Sequence, residues 1–271
     1  MNIRKIETRY GQMFVMDSDQ VISKSLIEYG EWSHGEIALL ERFIKPGMKV
    51  LDIGANVGSH TLAFSKAVGP NGWVIAFEPQ PAIFGLLTVN LAANGANRVL
   101  TVNAAAGKTP GWIDLPNLNY ATPNNFGALR MEPFMAGNEK EFSHIPVPVH
   151  RLDDLKAAAS AHVIKIDVEG MEAAVLEGAH GLISKSRPVL LVEDELPGEG
   201  SEAMLRVLFD LNYDAYWQAA PIFDPNNFNH NKNNLFANIG CLNVLAVPRE
   251  GAIKINGQKI TSVHEHLRKT A

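Results

Sequence analysis

Cysteine is almost absent: Cys241 stands alone among 271 residues. That excludes an intramolecular disulfide framework and a structural Cys-rich zinc site, and it suits a reducing compartment. Basic residues are not in excess. Twenty-four Lys and Arg face 29 Asp and Glu, a formal charge of −5, which argues against broad binding to duplex nucleic acid or an anionic membrane. No apolar run approaches ~18 residues, so no membrane insertion is expected. The opening Met1–Gln12 lacks the hydrophobic core of a signal peptide, and a cytoplasmic location is the expectation. What is present is ordinary globular composition, 46% hydrophobic and 20% charged, and not the signature of disorder. A chain of this length needs no covalent staples and fits one elaborated α/β domain as well as two small ones.

Periodicity divides the chain. Gln12–Met16 and Val21–Leu26 read as two strands joined by the turn-rich Asp17-Ser18-Asp19, a hairpin pattern. From His34, apolar Ile37, Leu40 and Ile44 recur at helical spacing until Pro46-Gly47. A strand–helix rhythm follows: strand Lys49–Ile53, turn Gly54–Gly58, helix Ser59–Val68, strand Trp73–Phe77, helix Pro81–Asn94, strand Arg98–Asn103. Such an order predicts a parallel sheet with right-handed crossovers and helices on both faces. Residues 107–150 hold six prolines and read as an irregular insertion with a few antiparallel strands. The rhythm resumes with helix Asp153–Ser160, strand Val163–Asp167, helix Glu169–Ser186, strand Pro188–Glu193, helix Ser201–Leu211, and strands near Tyr213–Gln218 and Leu242–Val247. Between the last two lies a loop, Pro225–Asn238, with seven asparagines.

The most informative stretch is Val50-Leu51-Asp52-Ile53-Gly54-Ala55-Asn56-Val57-Gly58-Ser59-His60-Thr61. A strand carries an acid near its end and runs through a small-residue turn into a helix, at the sheet edge where open α/β folds bind ligands. Gly54 and Gly58 let the backbone approach a ligand and take dihedrals closed to bulkier residues. The dinucleotide fingerprint G-x-G-x-x-G is not met, since Asn56 holds its middle position and the final glycine is missing. An acid here also suits a cationic ligand better than a pyrophosphate. S-adenosylmethionine carries a sulfonium and an α-ammonium group, and Glu78 at the end of the second strand can accept hydrogen bonds from its ribose hydroxyls, as the strand-end acid does in NAD sites. The turn and the two acids together favour S-adenosylmethionine over NAD.

These residues, with Ala76-Phe77-Glu78-Pro79, Asn103-Ala104-Ala105, Arg151-Leu152-Asp153-Asp154-Leu155 and above all Lys165-Ile166-Asp167-Val168-Glu169-Gly170-Met171-Glu172, resemble the FkbM family of S-adenosylmethionine-dependent methyltransferases. The likeness extends over Tyr29-Gly30-Glu31-Trp32-Ser33, Asn125-Phe126-Gly127, and Asn238-Ile239-Gly240 with Asn243–Pro248. It implies a class I methyltransferase (Rossmann-like) α/β fold: a doubly wound, mostly parallel seven-stranded sheet with its last strand antiparallel. It also implies O-methylation in most members. The expected division is a β-rich segment 1–33 packing on the core, a methyltransferase domain 34–248 with acceptor-side insertions 107–150 and 219–240, and a polar tail 249–271.

Each candidate has a plainer reading beside the functional one. Asp52 and Glu78 are expected to bind cofactor, where the alternative is helix capping; Gly54, Asn56 and Gly58 form the cofactor loop, although Asn56 also suits a left-handed turn. Ala104 and Ala105 are small enough to border an adenine ring, or simply to pack. Glu31 and Ser33 lie in the segment that the resemblance places over the cofactor's methionine end, while Ser33 with Glu36 has capping-box spacing. Asp167 and Glu169, at the carboxyl end of the fourth strand, are the candidate general bases, with His34 behind them; a helix-capping or helix-dipole role is the alternative. Lys165 shares a strand face with Asp167 and reads as a buried ion-pair partner. Asn125, Glu193 and Asn227 are expected to contact the acceptor, and the neighbouring Asn124, Asn226 and Asn229 share that chemistry. No metal is expected, a carboxylate site of Asp167 with Glu193 or Asp194 being the minority option; His264 and His266 lack further ligands. The acceptor is expected to be a small molecule or glycan and not nucleic acid, with homo-oligomer formation left open. The rival functions are an NAD-dependent oxidoreductase and a non-catalytic nucleotide-cofactor-binding protein.

Overall fold

A computed structural model of the chain describes residues 2–129, 143–194, 198–237 and 239–265. Pro133, Asn238 and His266 of the segments discussed above lie outside the described residues. In chain order the elements are β1 (Ile3–Thr8), β2 (Gly11–Met16), α1 (Ile22–Tyr29), α2 (His34–Glu41), β3 (Lys49–Ile53), α3 (Ser59–Val68), β4 (Trp73–Phe77), α4 (Pro81–Ala93) and β5 (Val99–Val102). β6 (Ala105–Ala106) leads into the insertion, which supplies β7 (Gly111–Pro116) and β8 (His144–His150). Then come β9 (Val163–Ile166), α5 (Glu172–Gly178), α6 (His180–Ser186), β10 (Val189–Glu193), α7 (Glu199–Asp210), β11 (Tyr213–Pro221), β12 (Gly240–Pro248) and β13 (Lys259–Ile260).

The main sheet has the order β13-β11-β12-β10-β9-β3-β4-β5. The contiguous apolar runs of β3, β4, β9 and β10 pair in parallel at its centre, as strands covered on both faces should. β12 is antiparallel to β10 and to β11. This is the seven-stranded class I methyltransferase order with its reversed last strand inserted beside the fifth. An eighth strand is added at the edge, because Ile260 is buried and β13 pairs with β11. The polar tail therefore contributes a short strand to the sheet.

Three local expectations are corrected. The N-terminal hairpin is β1 with β2, joined at Arg9-Tyr10. Residues 21–26 are not its second strand but the start of α1. Asp19 decides this: its carboxylate accepts the amides of Val21 and Ser23, at 3.2 and 2.7 Å, ahead of the first helical turn. The helix expected over Glu169–Ser186 begins only at Glu172 and divides at Ala179, since Glu169 and Gly170 both have positive φ, 54° and 99°. The Glu172 carboxylate turns back to accept the amides of Val168 and Gly170. Residues 153–160 form two short 3-10 turns in place of a helix; Asp153 instead accepts the amides of Gly181 and Leu182 at the head of α6.

The hairpin is fused to the core. Met13, Val15 and Met16 share one buried cluster with Ala55, Val57 and Leu62 around the β3–α3 turn. Its open edge is held by two asparagines, Asn90 of α4 and Asn94, which follows its last residue. Asn90 accepts the Phe14 amide and donates to its carbonyl, and Asn94 does the same for Gln12. Spaced one helical turn apart, they supply the edge with a substitute ladder. The insertion returns to the same region, where Asn124 donates its amide to the Ser18 carbonyl and accepts that of Gln20.

Candidate active site

The carboxyl ends of β3, β4, β9 and β10 open into a cavity of about 480 Å³, within the ~300–1,000 Å³ range of small-molecule sites. The turn after β3 shapes its floor. The amides of Gly54 and Ala55 both donate to the Phe77 carbonyl. Gly54 has φ +85°, and a Cβ there would sit 1.7 Å from the Asp167 carbonyl oxygen, so this approach of turn to strand end admits glycine alone. Asn56, also left-handed, donates its amide to Glu78 Oε2 at 3.0 Å. Gln80 donates its amide to Glu78 Oε1 at 2.8 Å. Burial pushes the Glu78 carboxyl up to about 7, against the pull of those two amides. Ala104, Ala105 and Ala106 form the wall beyond. Gln80 donates to the Phe126 carbonyl and accepts from the Tyr120 hydroxyl, which fixes the insertion and brings Asn125 to the rim.

At the other end of the cavity the side chains are acidic. Lys165 is buried and its Nζ lies 2.9 Å from Asp167 Oδ2 and 3.8 Å from Asp52 Oδ1. Burial opposes its charge, but Asp167, Asp52 and Glu36 outweigh burial and raise it. Burial likewise acts to raise Asp167; Lys165 prevails, and Asp167 is held below the usual carboxylate range. Glu193 is pushed well above that range, first by burial and then by the Asp167 charge beside it. Asp167, Glu169 and Glu193 each offer an oxygen within 4.8 Å of the others, a hard-oxygen set able to hold a cation.

Several predicted residues stand elsewhere. Asp52 accepts from the Thr61 hydroxyl at 2.6 Å and, fully buried, ties β3 to α3 and β9 behind the cavity. Gly58 heads α3 with φ +92° and packs against Leu87. Glu31 pairs with Arg9 at 2.7 Å and accepts the Phe228 amide, so it anchors the asparagine-rich loop. Ser33 is left-handed and makes no capping bond. His34 Nδ1 lies 3.2 Å from the Tyr10 hydroxyl, and burial followed by the Arg9 charge lowers its pKa. Asn227 is buried within its own loop, donating to the Asp224 and Asn231 carbonyls. Glu31, Ser33, His34, Asn227, Asp52 and Gly58 are not in the cavity wall. Gly54, Asn56, Glu78, Ala104, Ala105, Asn125, Asp167, Glu169 and Glu193 are.

The wall also contains residues that sequence reasoning passed over. Val21, Ile22, Ile222, Ile239 and Leu242 are apolar members of the wall, beside Trp32 from the segment already weighed for the cofactor's methionine end. His60 lies at its base, in the first turn of α3. The available signal for His60 was its place directly after the small-residue turn. Its partner Glu36 was hidden behind an apparent capping box.

A cavity with a strand-end carboxylate at one end, small residues along the wall and carboxylates at the other fits a donor that has ribose hydroxyls and positive charge. The Methyltransferase FkbM domain profile matches residues 52–215. Protein-L-isoaspartate O-methyltransferase 1 of Arabidopsis thaliana is 36% identical over 70 residues, which are 26% of this chain and 30% of that protein. Methyltransferase 1 of Beauveria bassiana (strain ARSEF 2860) is 27% identical over 143 residues, 48% of this chain and 57% of that protein. The chain spans 30% and 57% of the length of these two curated relatives. Among solved structures, Methyltransferase FkbM from Methylobacillus flagellatus KT aligns over 78% of this chain and 50% of that one, at 16% identity and a TM-score of 0.42. With well over half of its residues matched by that one domain, the chain belongs to the FkbM family of S-adenosylmethionine-dependent methyltransferases.

Proposed function

We propose that this protein transfers the methyl group of S-adenosylmethionine to a hydroxyl on a sugar, glycan or secondary metabolite. One observation carries the reading: one cavity at the carboxyl ends of the strands is lined by Glu78, by Ala104 and Ala105, and by Asp167, Glu169 and Glu193, so that groups suited to an adenosyl donor and to an acceptor hydroxyl face the same space. The bound donor supplies a methyl group on a positively charged sulfur, already a good leaving group. The protein's contribution is then to hold the reacting atoms in line and exclude water. Glu78 receives the ribose hydroxyls, Ala104 and Ala105 border the adenine, and the turn of Gly54 and Asn56 supports the chain between.

An alcohol is a weak nucleophile until its proton leaves, so a base must lie within hydrogen-bond reach. Asp167, kept ionised by Lys165, accepts the hydroxyl's hydrogen bond, and Glu169 stands beside it as the second acceptor. His34, outside the wall, is left without this task. The apolar rim of Trp32, Ile222 and Ile239 receives the acceptor's carbon skeleton, with Asn125 offering a polar contact.

Mass spectrometry of the purified protein for co-purified S-adenosylmethionine or S-adenosylhomocysteine tests the donor. A screen with isotopically labelled donor against sugars, glycolipid precursors and polyketide alcohols tests the acceptor class. Asp167→Asn is expected to lower turnover at least 100-fold on any acceptor found. Normal turnover in that variant would remove Asp167 from the chemistry.

A further inference from the structure

One buried titratable pair beside the cavity, of which His60 lines the wall, has no part in the function proposed above. Glu36 of α2 and His60 of α3 are both buried, with Glu36 Oε2 at 3.1 Å from His60 Nε2. The other carboxylate oxygen, Oε1, accepts from Asn243 Nδ2 at 2.8 Å. The imidazole is further fixed edge-on against Phe64, with ring centroids 5.9 Å apart. Both oxygens of Glu36 are thus engaged and one ring nitrogen of His60 is committed. A buried, hydrogen-bonded polar pair is seldom more stabilising than an apolar pair of equal volume, so stability alone does not explain its presence beside a cavity wall.

Its position is specific. Asn243 of β12 stands opposite Glu193 of β10 in the ladder, which puts Glu36 and His60 on the β9–β10–β12 side of the cavity, away from Glu78 at the end of β4. A donor whose ribose lies on Glu78 extends its amino-acid tail across the end of β3 toward this side. The surroundings there favour positive charge: Asp167 and Glu169 line the wall, and the one lysine there among the described residues, Lys165, already faces Asp167 and Asp52. Burial would raise the Glu36 carboxyl, but His60 outweighs it and keeps it below the usual range. A carboxylate oxygen only accepts, so in the 3.1 Å contact Glu36 Oε2 is the acceptor and Nε2 carries the hydrogen. The tautomer so selected leaves Nδ1 as an acceptor.

We propose that His60, oriented by Glu36 and Asn243, accepts a hydrogen bond from the α-ammonium group of the bound donor. The inference rests on the donor reading given under Proposed function and names a positioning pair within it.

Binding titrations with three probes test it: S-adenosylhomocysteine, its deaminated analogue, and 5′-methylthioadenosine, which lacks the tail. In His60→Asn, S-adenosylhomocysteine affinity is expected to fall about ten-fold, the scale of a hydrogen bond to a charged group. The other two probes should bind as they do to the wild type. The double variant Glu36→Gln/His60→Gln, which strands no buried charge, should show the same selective loss. Equal weakening of all three probes, or weakening of none, overturns the proposal. Unchanged 5′-methylthioadenosine affinity also reports that the variants are folded. If the wild type binds none of the probes, the donor site itself is misassigned and the inference fails with it.

Discussion

At the scale of single residues, the site is built by dihedrals and burial more than by motif identity. Gly54 is the sharpest instance. Alanine there would need both a left-handed φ and a 1.7 Å approach to the Asp167 carbonyl, so Gly54→Ala is expected to destabilise the fold by about 3 kcal/mol or more, read by urea denaturation. Glu78 makes a prediction about pH. Its native carboxyl titrates at about 7, against 4.5 in the unfolded chain. The native state thus binds this proton more tightly, and the associated stability is full below pH 4.5 and lost as pH rises through 7. Comparing wild type with Glu78→Gln at pH 4.5 and 7.5 should show the wild type losing about 3 kcal/mol relative to the variant. Glu172 and Glu193 shift in the same direction and drop out of that difference. A flat difference between the two proteins would show Glu78 to be ionised in the folded state.

At the scale of elements, the sequence reading succeeded where a hydrophobic period repeats over a whole strand or helix. Lys49–Ile53 and Trp73–Phe77 are strands as expected, and Ser59–Val68 is a helix as expected. It failed where one side chain decides. Asp19 turns residues 22–29 into a helix that β-rich local composition disguises, and the left-handed Glu169-Gly170 pair delays the next helix until Glu172. The most instructive element contact is α4 against β2. Asn90 also donates to the Val57 carbonyl at 2.8 Å, so this one amide connects the hairpin, the helix and the turn of the site. Asn90→Ala leaves those backbone groups unpaired and is expected to lower stability by about 2–3 kcal/mol, with faster hydrogen exchange at the Phe14 amide. A loss in which exchange at Phe14 is unaffected would place the damage elsewhere.

At the scale of the whole molecule, the shared core predicts cooperative behaviour. The hairpin residues Met13 and Val15 pack with Val57 and Leu87, so the segment 1–33 and the methyltransferase domain should melt in one calorimetric transition. Two resolved transitions would contradict that packing. The edge strand β13 offers a test far from the cavity. Ile260 is buried against the main core, and Ile260→Ala should reduce stability by about 2 kcal/mol while leaving S-adenosylhomocysteine affinity unchanged.

Local pattern was enough to read the strand–helix alternation, the small-residue turn at residues 54–58 and the strand-end acids Glu78, Asp167 and Glu193 of the cavity wall, because apolar period, glycine placement and strand-end charge are written in neighbouring residues. It could not separate Asp167, which faces the cavity, from Asp52, which is buried behind it; both are strand-end acids in sequence and both face Lys165, and only the closed fold covers Asp52 with the Thr61 hydroxyl of α3. Nor could it pair Glu36 with His60 and Asn243, or assign the loop asparagines to holding the chain near Tyr29, since those contacts join residues up to 207 positions apart. Such partners are chosen by the packing of sheet, hairpin and loop, and that choice exists only once the chain has closed on itself.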